Sequence, residues 1–135
     1  MDNINIFEPE WDAPKNIYAF QTTRNSNLIK EPLNKNKNKN KTKLLTNVGF
    51  EFISKKAIGL NQSHSNTSVE LPSDDRDADA SYTTRNKVVC SIRTADCMPL
   101  LITDEAGSFV AAIHAGWRGL ASGIIENTLK KINAK

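Results

Sequence analysis

Residues 100–132 read LLITDEAGSFVAAIHAGWRGLASGIIENTLKKI, and the change of period inside that stretch decides the fold. Leu100-Leu101-Ile102-Thr103 and Phe109-Val110-Ala111-Ala112-Ile113 are apolar runs of strand length. Asp104-Glu105-Ala106-Gly107 between them is turn chemistry, so the spacing predicts a β-hairpin. From Trp117 to about Ile132 the period lengthens to that of a helix. Leu120, Ile124, Leu129 and Ile132, with Ile125 and Thr128, make one apolar stripe, and Glu126 and Lys130 stand four apart on the other side. Strands followed by a C-terminal helix predict an α+β domain with mixed sheet strands.

Upstream, Val88, Cys90 and Ile92 alternate within residues 87–92, which predicts a strand with Cys90 on its apolar face. Residues 72–79 (PSDDRDAD) are acidic and turn-rich. Ala57-Ile58-Gly59-Leu60 reads as a strand delivering Asn61-Gln62-Ser63-His64. Leu44, Leu45 and Val48 predict a short helix closed by Gly49, and Ile17-Tyr18-Ala19-Phe20 a strand running into the loop Gln21-Thr22-Thr23-Arg24. The 135 residues suit a single domain over 1–135.

A net charge of +3 and a pI near 8.9 suggest a basic protein, yet the excess sits in residues 34–43, NKNKNKNKTK. That tract holds five lysines, and removing five positive charges from +3 leaves −2. A nucleic-acid surface wants arginines and aromatics spread over a folded face. The tract has neither and reads as a low-complexity, solvated loop. With 39% hydrophobic residues, 24% charged residues and a mean hydropathy of −0.47, the chain is globular rather than disordered. There is no apolar run of membrane length and no basic-then-apolar leader, so the expected compartment is the cytoplasm and no membrane partner is expected. Two cysteines are too few for a disulfide framework.

Three side chains are candidate metal ligands: His64 in a polar loop, Cys97 between two apolar runs, and His114 at the end of a strand. No local spacing resembles a zinc finger. Arg93, close in sequence to Cys97, could favour the thiolate that binds metal. His114-Ala115-Gly116-Trp117-Arg118-Gly119 is a strand-to-helix turn whose glycines allow close backbone approach. Its helix N-terminus and Arg118 favour an anion such as phosphate. A Cys97–histidine dyad, with the thiolate as nucleophile and no metal, is the alternative chemistry.

Four blocks occur in order: Asn61-Gln62-Ser63-His64; Ala78-Asp79-Ala80 with Thr83; Arg93-Thr94-Ala95-Asp96-Cys97-Met98-Pro99; and His114 to Gly123. Together they resemble the YfiH family, known also as laccase-domain, multicopper polyphenol oxidase or purine nucleoside phosphorylase proteins. Thr23-Arg24 is similar to the family's Thr-Arg motif, and residues 40–49 to its asparagine-led helix ending in Leu-Gly. The resemblance implies a YfiH-like α+β fold and a zinc site whose ligands are His64, Cys97 and His114, with copper as the other metal such donors hold. It implies phosphorolysis of adenosine, inosine and methylthioadenosine with adenosine deamination. Copper-dependent phenol oxidation and peptidoglycan-precursor editing are the other activities assigned to the family. Candidate catalytic residues are then Cys97, His114 and Arg118, and candidate substrate or phosphate contacts are Arg24, Gln62, Arg93 and Arg118.

The expected partners are a nucleoside and phosphate, with no nucleic-acid polymer. The chain departs from the family pattern at Ser65, where the family has glycine, and at Asn25-Ser26-Asn27, where it has a glycine pair. The lysine–asparagine tract replaces most of a family segment. Family members are nearly twice as long, so the resemblance covers their N-terminal half. That leaves an incomplete, inactive domain as the non-enzymatic alternative, and self-association or pairing with a C-terminal half as expected assemblies.

Overall fold

The computed structural model describes residues 6–23, 53 and 55–134. Arg24, the tract 34–43 and the helix expected over 43–48 lie outside the described residues. Two compact units divide the chain: Met1–Asp12 with Tyr18–Ala57, and Ala13–Ile17 with Ile58–Lys135.

In the first unit, β1 (Ile6–Phe7) pairs antiparallel with β2 (Gln21–Thr22), Ile6 opposite Thr22. The strand therefore begins just beyond the apolar run 17–20, on residues expected to be loop. A strand needs a backbone partner, and β1 offers one at 21–22, while Tyr18 and Phe20 use their rings on each other, edge to face at 6.0 Å.

The second unit holds a four-stranded mixed sheet in the order β4 (Ser68–Glu70), β5 (Ala80–Thr83), β8 (Val110–Ala115), β7 (Met98–Thr103). β4 and β5 are parallel, and the other two pairs antiparallel. The β7–β8 hairpin is the one expected. Gly107 takes φ +64 at its turn and donates its N–H to Asp104 O at 3.0 Å, while Asp104 Oδ1 accepts from Ser108 N at 2.6 Å. β3 (Ala57–Ile58) and β6 (Val89–Cys90) form a separate two-stranded ribbon, and Ser91 Oγ donates to Ile58 O at 2.7 Å.

Register decides which side chains meet. Leu100 opposes Ile113, Ile102 opposes Ala111, and Ala80 and Tyr82 oppose the same two β8 residues from the other side. Those residues share one face because strand side chains alternate. Onto that face pack Ile124 and Ile132 of the C-terminal helix. His114, next to Ile113, leaves β8 on the opposite face.

The helix expected from 117 to 132 is two helices, α1 (Trp117–Ser122) and α2 (Ile124–Asn133). Gly123 breaks it in the left-handed region at φ +92 and caps α1 by donating to Leu120 O. The break shifts the phase of the apolar stripe. Ile124, Thr128 and Ile132 are buried, whereas Leu120 is exposed. The Thr128 hydroxyl is satisfied by Ile124 O at 2.7 Å. The fold is the mixed α+β class read from the sequence.

Candidate metal centre

The site forms where β8 leaves the sheet. Met98 pairs with Ala115 and Pro99 with His114, so continuing the register by one residue sets Cys97 opposite Gly116. A Cβ at Gly116 would stand 3.0 Å from Cys97 Sγ and 3.1 Å from His64 Cδ2, so the glycine leaves the room in which thiol and imidazole meet. Gly119 instead lets the helix start pack against the His64 loop, since an added Cβ would approach Ser65 O to 3.2 Å.

His64 reaches the same point from the loop after Leu60. Its ring stands 4.9 Å from that of His114, nearly edge to face, and its Nε2 lies 3.7 Å from Cys97 Sγ. The ligand atoms of His64, Cys97 and His114 all lie within 4.8 Å of one another. Tetrahedral zinc with bond lengths of about 2.3 Å to sulfur and about 2.0 Å to nitrogen puts neighbouring N and S ligands about 3.5 Å apart. The thiol–imidazole edge, at 3.7 Å, is close to that length. One soft sulfur and two borderline nitrogens suit zinc or copper, and three ligands leave a fourth position open.

His114 is buried and His64 exposed, and one carboxylate holds both. Asp79, fully buried just before β5, has its Oδ2 2.7 Å from His114 Nδ1 and accepts from His64 N at 3.0 Å. Its Oδ1 accepts from Ser63 N at 3.1 Å, Ser65 N at 2.8 Å and Ser65 Oγ at 2.7 Å. Three successive amides can converge on one carboxylate because His64 sits at φ +62. Burial works against ionisation of Asp79. The hydrogen bonds from His114, the Ser65 hydroxyl and the Ser63 and Ser65 amides outweigh it and bring the carboxyl down to about 2.

Of the residues expected at the site, His64, Cys97 and His114 come together. Gln62 is spent on the backbone of Arg93: its Nε2 donates to Arg93 O at 2.7 Å, and its Oε1 accepts from Arg93 N at 2.7 Å. This pair of bonds ties the His64 loop to the Cys97 loop. Arg93 is exposed and donates from Nη2 to Leu60 O at 3.5 Å. Arg118 is exposed, with its guanidinium over the Trp117 ring at 5.2 Å. The anion-binding reading of the helix start changes here. α1 has only six residues, too few to build much of a dipole, so an anion would depend on the Arg118 side chain itself. Cys90 lies apart, half-buried, its thiol pushed up to about 11 by burial against a hydrogen bond with Ser81.

Asp79 and Ser65 are the participants that reading for ligands does not single out. The only local signal is an acid set between Ala78 and Ala80 at the start of a strand, where a solvated carboxylate does not belong.

In this α+β protein two imidazoles and a thiol converge at a strand end, a group that could hold one metal ion. Residues 22–135 match the family described as multi-copper polyphenol oxidoreductase laccase, and the chain belongs to that family. A purine nucleoside phosphorylase of Haemophilus influenzae is 40% identical over 98% of this chain and 59% of its own length. Escherichia coli purine nucleoside phosphorylase YfiH is 34% identical over 92% of this chain and 56% of its own. A crystal structure of a Neisseria meningitidis protein matches at a TM-score of 0.54 with 43% identity, covering 62% of this chain and 37% of that one. The chain thus spans little more than half the length of these curated relatives. Among the described residues no helix is long and apolar enough to cross a membrane.

Proposed function

We propose that this chain carries the metal centre of a zinc-dependent purine nucleoside phosphorylase that cleaves adenosine, inosine and methylthioadenosine with phosphate and also deaminates adenosine. The observation that carries the reading is the His64–Cys97–His114 trio with an open side, in a chain whose relatives bear the phosphorylase name. Zinc bound there would act as a Lewis acid and make water more acidic.

The chain's own residues supply the rest. Asp79 Oδ2, 2.7 Å from His114 Nδ1, would accept a hydrogen bond from a proton on that nitrogen and so leave Nε2 as the ligand atom. In phosphorolysis a phosphate oxygen forms a bond to the sugar carbon. The glycosidic C–N bond breaks, and the base leaves with the electron pair and takes up a proton. Arg118 and Arg93 are the exposed guanidiniums nearest in sequence to two of the ligands, and they are the proposed phosphate contacts. The proposed partners are therefore small molecules, and the compartment is the cytoplasm, where Cys97 stays reduced.

The family description favours a second reading, copper-dependent phenol oxidation. Weighing against multi-copper chemistry within this chain is its content of only two histidines, both already in the trio.

The test is metal analysis of the recombinant chain and chromatography of inosine and methylthioadenosine incubated with phosphate. About one zinc per chain and release of hypoxanthine or methylthioribose phosphate with adenine support the reading, and both should vanish in Cys97→Ala. A folded, zinc-loaded chain that releases no base sinks phosphorolysis. Activity that survives thorough chelation favours metal-free catalysis by Cys97.

A further inference from the structure

We propose that Asp79 is the positioning residue of the metal centre, and that its single carboxylate sets both histidine ligands at once. This rests on reading the trio as a metal site and is independent of the nucleoside chemistry. Two observations carry it. Asp79 is fully buried, and both oxygens are spent on the segments that deliver ligands: five donors come from Ser63, His64, Ser65 and His114. An ionised carboxylate can only accept, so His114 must carry its ring proton on Nδ1, which frees Nε2 as the ligand atom. The same carboxylate gathers the 63–65 amides and holds His64 in the left-handed conformation that turns its side chain toward Cys97.

The geometry makes Asp79→Asn a sharp probe, because an amide of the same size has one acceptor and one donor end. With its oxygen toward His114, its NH2 meets the amides of Ser63 and Ser65, and the His64 loop opens. With its NH2 toward His114, the ring must accept at Nδ1 and carry its proton on Nε2, which blocks the ligand atom. Either orientation disables one histidine. Ser65, standing where the family pattern has glycine, adds a hydroxyl bond to Oδ1 and reinforces the loop side alone.

The test uses the whole chain with three readouts: zinc affinity by competition with a chromophoric chelator, the visible spectrum of the cobalt(II) form, and ring nitrogen NMR of the metal-free protein. The expected results are a His114 ring protonated on Nδ1 in the wild type and a loss of about 10- to 100-fold in zinc affinity for Asp79→Asn. The variant's cobalt spectrum should change as well. Ser65→Ala should lose less affinity than Asp79→Asn and leave the His114 tautomer unchanged. A folded Asp79→Asn with wild-type affinity and spectrum overturns the proposal. If that variant does not fold, the wild-type tautomer and Ser65→Ala decide. A ring protonated on Nε2, or a Ser65→Ala chain indistinguishable in zinc affinity, overturns it. A wild type that binds no zinc refutes the metal reading, and the tautomer measurement still reports on Asp79 by itself.

Discussion

Replacing Gly116 with alanine tests whether the centre depends on close approach of the two hairpin strands' ends. Gly116 sits at φ −74 and ψ 165, a conformation open to any residue, so the substitution brings no backbone strain. What it brings is a methyl group 3.0 Å from Cys97 Sγ and 3.1 Å from His64 Cδ2. Non-bonded carbons settle at about 3.5–4.0 Å, and sulfur needs more, so each ligand must retreat by at least about 0.4 Å. The pairing of Met98 with Ala115 and Pro99 with His114 pins the strands, and the displacement therefore falls on the Cys97 and His64 side chains. Metal sites tolerate about 0.2 Å of error in ligand distance, half of that displacement. Overpacking of this kind costs about 1–3 kcal/mol of stability. Zinc affinity should fall at least about tenfold, or about 1.4 kcal/mol. Competition titration measures the loss, with Gly59→Ala as control because nothing lies within 4 Å of a Cβ there. If Gly116→Ala binds zinc as tightly as the control, the side chains do not converge as described.

Three further outcomes follow from other parts of the chain. Gln62→Ala removes both bonds to the Arg93 backbone and should cost about 1–2 kcal/mol in urea unfolding while making Cys97 more reactive to thiol reagents. Gly123→Ala must place a side chain at φ +92 and should destabilise by about 1–2 kcal/mol, with zinc affinity unchanged because α2 carries no ligand. The Cys90 thiol, about 9.0 in its ordinary state and about 11 when folded, is raised, so its contribution is complete below pH 9 and lost as pH climbs to 11. Wild type should lose up to about 2–3 kcal/mol relative to Cys90→Ala over that window, read by chemical denaturation at each pH.

The hairpin and the helical region are legible because period and turn chemistry are local: DEAG between two apolar runs permits little else. The split of the helix at Gly123 is not, since a lone glycine inside a helical pattern is tolerated as often as it breaks one. The short strand at 21–22 escapes because its existence depends on a partner at 6–7 rather than on its own residues. In the site, the three candidate ligands stand out by their settings and the family resemblance, although gaps of 33 and 17 residues carry no metal spacing of their own. Gln62 stands among the expected substrate or phosphate contacts, and nothing in the sequence shows its amide closing on a backbone 31 residues away.

The carboxylate that organises the centre is harder to see in the sequence than the ligands are. A ligand must offer a nitrogen or sulfur, and this chain has only two histidines and two cysteines from which to choose. Asp79 is one of 15 acidic residues, and several others crowd the neighbouring segment at 74, 75 and 77. Composition cannot rank them; burial can. Asp74, Asp75 and Asp77 are exposed, whereas Asp79 leads directly into the interior strand β5, whose neighbours on both sides remove it from water. A buried carboxylate must find donors, and the donors within reach are the amides of 63–65 and the ring of His114. The cost of burying one charge is thereby offset by bonds that fix two ligands, so the stability of β5 and the geometry of the centre depend on the same five hydrogen bonds.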